Sequence, residues 1–206
     1  MKTITEIKKI GKGNRYYLFV NDENLGVFEA EVLARHCLKT GQTFDDKFFD
    51  DLLIENGDFA CFNRGLALLS KAMKTEKLLR DYLKEKKYPL SCIEKAINKL
   101  KDYGYIDDKA YAENYISLNS SAKSKRKIKY ELLSKGVESE IIDHLLIDNF
   151  NDEDELNLCK KLGLKFMKNR EIDLANKQKF YNHLAGKGFN FQMIANAWEE
   201  ITSDRN

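Results

Sequence analysis

"LLSKGVESEII" (132–142) decides how this chain is read, because two other stretches repeat its pattern: "YLKEKKYPLSCI" (82–93) and "HLAGKGFNFQMI" (183–194). Aligned on Leu83, Leu132 and Leu184, the apolar residues recur five, ten and fourteen positions on. They are Tyr88, Val137 and Phe189, then Ile93, Ile142 and Ile194, then Ile97, Leu146 and Trp198. Between them, four residues after each leucine, stand Lys87, Gly136 and Gly188. A glycine there supplies the left-handed backbone that ends a helix without a Cβ penalty. Pro89, Ser139 and Asn190 then suit the start of the next helix. Each phrase therefore reads as helix, break, helix.

A further helix leads into each phrase, over 60–73, 108–119 and 153–169. The unit is three helices, repeated at spacings of 49 and 52 residues. Repeats of this length build modular architectures in which each unit packs mainly on its neighbours. The expected fold is mainly α, with three tandem three-helix repeats in an elongated arrangement and a small N-terminal sheet-and-helix extension. The expected division is 1–59 for the extension, then 60–106, 107–151 and 152–206 for the repeats.

In the extension the periodicity changes. "RYYLFV" (15–20) and "NLGVF" (24–28), joined by "NDEN", predict a β-hairpin, and "TITEIKKI" (3–10) a third strand. The connecting "GKGN" lacks the GxxxxGK[ST] frame of a phosphate-binding loop. Glu29 to Lys39 predicts a helix with Val32, Leu33, His36 and Cys37 on one face, stopped at Gly41. Thr43 and Asp46 resemble a capping box opening a second helix with Phe48, Phe49, Leu52 and Leu53 inward. Adjacent positions point about 100° apart on a helix, so His36 and Cys37 make a poor catalytic dyad.

With 43% hydrophobic and 33% charged residues, the 206-residue chain has a globular core but an unusually charged surface. One proline and 11 glycines favour helix over a turn-rich β protein. No apolar stretch is long enough for a membrane span or a signal sequence, so the expectation is a cytoplasmic protein without membrane contact. Cys37, Cys61, Cys92 and Cys159 lie far apart and read as reduced core thiols. No metal or cofactor motif is present, and the three histidines (His36, His144, His183) fall in different units, so neither catalytic residues nor a cofactor are expected. Asp107 and Asp108 could be an acid/base pair, but at the start of a helix they read better as a cap opposing the helix dipole.

Charge is segregated. Basic against acidic residues number 9 and 11 over 1–69, 17 and 9 over 70–136, 1 and 8 over 137–160, and 8 and 5 over 161–206. The "KSKRKIK" stretch contributes Lys123, Lys125, Arg126, Lys127 and Lys129, with Ile128 and Leu132 on the core side. Lys71, Lys74, Lys77 and Arg80 decorate the equivalent helix of the first repeat. Such clusters are either a partner-binding face or a solvated helix surface. On the first reading, basic helix–turn–helix modules can contact phosphates with salt-dependent affinity, which opens a direct DNA-binding alternative.

Three tandem three-helix repeats with "EKLLRDYLKEKKY", "GYIDDKAYAENYI" and "KIKYELLSKGV" in that order resemble the RecX family. The N-terminal extension is similar to that of the longer Gram-positive form, so the resemblance covers nearly the whole chain. It departs at Ala72 and Lys74, where the family has arginines, at Leu78, where an acid is frequent, and at Lys123-Ser124-Lys125, where Gly-Pro is common. The resemblance implies a non-enzymatic regulator, monomeric by default, that lies in the groove of the RecA filament on single-stranded DNA. There it would lower ATP hydrolysis, strand exchange and the SOS co-protease function, with weak direct DNA binding alongside.

Overall fold

The computed structural model describes residues 1–149 and 151–203, which form two compact units, Met1–Ile106 and the chain from Asp107 onward. The first begins with an antiparallel sheet of β1 (Lys2–Lys9), β2 (Arg15–Val20), β3 (Glu23–Glu29) and the short β4 (Thr43–Phe44), in the order β3-β2-β1-β4. Val20 pairs with Glu23 across a two-residue turn whose Asn21 and Asp22 both have positive φ, 50° and 67°. That geometry matches the strand twist, and Asn and Asp tolerate it better than most side chains. Ile4, Leu18, Val20 and Phe28 are buried on one face against Val32 and Leu33 of α1 (Ala30–Arg35) and Phe49 and Leu52 of α2 (Asp46–Leu69).

Several local expectations are corrected here. α1 has only six residues, and Cys37 follows at φ 49° while the Leu38 amide returns to the Leu33 carbonyl, so the chain turns before Gly41. His36 and Cys37 are consequently exposed rather than on the core face, and Cys37 is no core thiol, unlike buried Cys61, Cys92 and Cys159. Thr43 lies in β4, and Asp45 caps α2 by accepting from the Phe48 amide at 2.8 Å. Leu53 is exposed. Most consequentially, the two helices expected around 46–53 and 60–73 are one 24-residue helix, about 36 Å long. Asn56 fixes its middle to the sheet: its side chain accepts from the Glu29 amide and donates to the Val27 carbonyl, both at 2.9 Å. The second half of α2 then joins α3 (Glu76–Glu85) and α4 (Leu90–Asp102) in the first three-helix bundle.

The second unit contains α5 (Asp108–Asn119), α6 (Lys125–Ser134) and α7 (Ser139–Asn149), followed by α8 (Asp152–Met167), α9 (Leu174–Gly186) and α10 (Phe191–Ser203). Asp107 caps α5 by accepting from the Ala110 amide at 2.8 Å, as the capping reading expects. Ser139 is inside α7 rather than ahead of it, and its hydroxyl meets the Asp143 carboxylate at 3.2 Å. The repeating apolar set forms the three bundle cores: of its twelve members all but half-buried Tyr88 are buried.

The break after each second helix is the same structure three times. Lys87, Gly136 and Gly188 have φ of 63°, 89° and 96°. The next amides (Tyr88, Val137, Phe189) bond back to the carbonyls of Leu83, Leu132 and Leu184 at 3.2–3.3 Å. This satisfies carbonyls that a helix end leaves without partners. A second shared device is a notch in the leading helix. A Cβ on Gly65 would meet Leu100 Cδ1 at 2.9 Å, and one on Gly163 would meet Phe180 at 2.8 Å and Ile201 at 3.0 Å. Absence of a side chain at these two points lets the other helices of the bundle close onto the first.

Candidate partner-binding surface

The basic residues singled out by sequence gather at the start of the middle helix of the first two repeats. α3 and α6 are each ten residues long and are capped by Thr75 and Ser124, both fully buried, which accept from Leu78 and Lys127 amides at 3.2 Å. Burying the cap anchors each N-terminal turn and leaves Lys77 and Arg126 exposed on it. At the spacing of 49 residues, Lys74 corresponds to Lys123, Lys77 to Arg126 and Arg80 to Lys129. Lys71 and Lys74 lie in the connection ahead of α3, Lys71 exposed and Lys74 half-buried.

Their chemistry differs. Arg80 spans Glu76, one turn away at 2.9 Å, and Glu94 of α4. Lys129 holds Asp143 of α7 at 2.5 Å. Glu94 and Asp143 are themselves 49 residues apart, so one ion pair ties the second helix to the third in both repeats. The hydrogen bonds Arg80 donates to Glu94 and Glu76 raise its pKa, and those that Glu76 accepts from Lys101 and Arg80 lower that of Glu76. Lys123 is turned inward to Glu131 at 2.7 Å and the Tyr115 hydroxyl at 3.2 Å, and its ammonium lies 5.3 Å from the Tyr115 ring centroid. Burial opposes the charge on both Lys123 and Glu131, yet their hydrogen bond leaves the lysine raised and the carboxylate lowered.

Arg80, Lys123 and Lys129 thus carry part of the bundle's own structure. Lys71, Lys74, Lys125, Arg126 and Lys127 hold no ion pair among the described residues, and Lys77 and Arg126 are exposed. The structure brings Lys125, Arg126 and Lys127 together on the first turn of α6, whose N-terminal dipole adds to their positive field. The cluster at 71–80 belongs to the other unit.

The third repeat departs from this pattern. α9 is thirteen residues long, with its cap at Asp173, and Gln178 and Tyr181 occupy the places of Lys77 and Arg80. In exchange it supports α6: the Lys187 carbonyl accepts from the Ser124 amide at 3.0 Å, and Glu155 of α8 accepts from the Lys125 amide at 3.0 Å. Two of the amides at the N-terminus of α6 are thereby held by the following repeat. Sequence reasoning misses these supports and also the ion pairs between the second and third helices, although the charge complement of Arg80 with Glu94 and Lys129 with Asp143, repeated at the same spacing, is a signal that could reveal the latter. Among the described residues no group of His, Cys, Asp and Glu could hold a metal ion, and no helix is long and apolar enough to cross a membrane.

Comparison with known proteins agrees with the tandem three-helix architecture. Residues 61–100 match the family model for the first three-helix domain of RecX, and residues 107–146 that for the second. A regulatory protein RecX of Clostridium acetobutylicum is 33% identical over 99% of this chain and 98% of its own. One from Bacillus velezensis is 33% identical over 97% of this chain and 78% of its own. A crystal structure of a regulatory protein RecX superposes with a TM-score of 0.66 at 28% identity, covering 94% of this chain and 97% of that one. RecX from Lactobacillus salivarius gives 0.58 at 28% identity, over 72% and 98%.

Proposed function

This chain belongs to the RecX family of regulatory proteins, and we propose that it binds the RecA filament on single-stranded DNA and restrains it. It acts without catalysis, as a cytoplasmic monomer, through protein contacts with a basic face set near the filament DNA. Bound along the filament, it lowers ATP hydrolysis, strand exchange and co-protease activity. The observation that carries this reading is a set of basic residues at matched positions of two successive repeats, with Lys77 of α3 and Arg126 of α6 exposed in both. A partner that repeats along its own axis can be met twice by such a chain, and complementary charge favours encounter and register.

The exposed face of α6 supplies the test. Lys125→Glu combined with Arg126→Glu and Lys127→Glu leaves the buried Ser124, Ile128 and Leu132 untouched, so the fold is retained. Loss of the inhibition of RecA ATPase with unchanged helicity supports the proposal. Full inhibition by the folded triple variant removes this face from it. Direct binding to naked DNA by the first turn of α6 is the second reading, favoured by Lys125, Arg126 and Lys127 holding no ion pair among the described residues. It requires tight binding and a steep salt slope without RecA.

A further inference from the structure

The third repeat lacks the residues of the ion pair that ties the second helix to the third in the other two. At the spacing of 52 residues, Tyr181 takes the place of Lys129 and Ala195 that of Asp143. Tyr181 instead lines a cavity of about 470 Å3, walled by α9, α10 and Arg126 of α6. The Tyr181 and Phe191 rings lie 5.4 Å apart at 52°, and buried Phe189, from the turn between the two helices, lines the cavity with them. Phe191 is 73% exposed, so this ring is open to a ligand rather than committed to the core. Gln178 donates to Asn182 at 3.2 Å, which leaves one acceptor and one donor of these lining amides without a partner among the described residues. Arg126 is exposed, holds no ion pair, and is the one charged side chain among the described lining residues. Its place against the third repeat is set by the Ser124 amide on the Lys187 carbonyl at 3.0 Å and by the Lys187 ammonium on the Ala122 carbonyl at 3.3 Å.

An open aromatic face, a pair of amides and a guanidinium in one cavity suit a ligand with a flat body, a hydrogen-bonding rim and an attached anion. A nucleotide has all three. Unpaired bases stack on aromatic rings and bond through their edges, and the arginine fork matches phosphate oxygens. Lys125 and Lys127 flank Arg126 on the first turn of α6 and extend its charge, as a strand continuing past one nucleotide requires. We propose that this cavity takes one unpaired base of a single-stranded nucleic acid, with Arg126 on an adjoining phosphate. The inference rests on the reading of α6 as a face set near the filament DNA, and adds the part of that DNA that is gripped. A base within a duplex has its faces stacked and its edge paired, so a duplex cannot use the cavity.

The test is fluorescence anisotropy of the full chain at low salt with two labelled strands of equal length, oligothymidylate and its fully abasic counterpart. Oligothymidylate should bind at least roughly fivefold tighter, the equivalent of one stacked base. Phe191→Ala, at an exposed position, should abolish that preference without changing affinity for the abasic strand, and Phe191→Tyr should keep it. Arg126→Gln should weaken both strands and reduce the salt slope by about 0.7, as for one single-strand phosphate contact. Equal binding of the two strands by the parent overturns the inference. So does a Phe191→Ala variant that keeps the preference or weakens both strands alike, or an Arg126→Gln salt slope like the parent's. Competition by thymidine monophosphate as effective as by unlabelled strand assigns the cavity to free nucleotides, and equal competition by a short acidic peptide containing phenylalanine assigns it to a protein segment. Either result also overturns the inference. Absence of any binding overturns it too, and leaves the reading of α6 to be decided by RecA ATPase with the charge-reversal variant, so the two fail separately.

Discussion

Replacing Gly188 by alanine should cost far more than the loss of a flexible residue. Gly188 has φ 96°, where an L side chain is strained by roughly 1–2 kcal/mol. The new Cβ would also press on Ser124 Oγ and stand 2.6 Å from Lys127 Cβ and 3.0 Å from the Lys127 amide. Those atoms cannot swing aside, because Ser124 is fully buried and its hydroxyl caps α6 through that amide. Losing such a cap costs about 1 kcal/mol, so Gly188→Ala should destabilise the second unit by about 2–3 kcal/mol. Urea denaturation followed by fluorescence of Trp198, the single tryptophan and buried in this unit, measures it. Ser124→Ala removes one of the opposing atoms, so the double variant should be more stable than the sum of the single effects by at least about 0.5 kcal/mol. Strict additivity, or a Gly188→Ala cost no greater than strain alone, would refute the idea that this glycine is the point where the third repeat seats α6.

Lys87, at φ 63° in the place of Gly136 and Gly188, is strained by the same argument, and Lys87→Gly should stabilise the first unit by about 1 kcal/mol in denaturant titration. Glu94→Ala and Asp143→Ala remove equivalent ion pairs and should each cost no more than about 1 kcal/mol, with the difference from the parent shrinking at high salt. Acid should act through the same clusters. Glu76, held low by Lys101 and Arg80, contributes stability that is complete above its ordinary value of 4.5 and lost as pH falls through its lowered folded value. A Glu76→Gln variant should accordingly show a flatter decline in stability below about pH 4.5.

The bundle cores were legible because helix packing imposes a period that three copies repeat, so Leu83, Leu132 and Leu184 locate their neighbours by counting. The hairpin was legible for a similar reason: Asn21-Asp22 between alternating strands is local turn chemistry. What local signals could not give was how segments are supported from a distance. Glu55-Asn56-Gly57-Asp58 reads as a break, yet Asn56 spends its polar groups on β3 and α2 runs through. Gly65 and Gly163 look like helix weaknesses until the side chains that fill their notches are known. The same holds for the basic residues. Composition groups Arg80, Lys123 and Lys129 with Lys125, Arg126 and Lys127, but only their partners, Glu94, Glu131 and Asp143, separate structural cations from those turned outward.

The most direct measurement of the proposed role is the rate of ATP hydrolysis by RecA on single-stranded DNA as this protein is titrated in. The rate is expected to fall at well below one molecule per RecA, while binding to naked DNA stays weak. A rate unchanged at amounts that saturate the filament would contradict it.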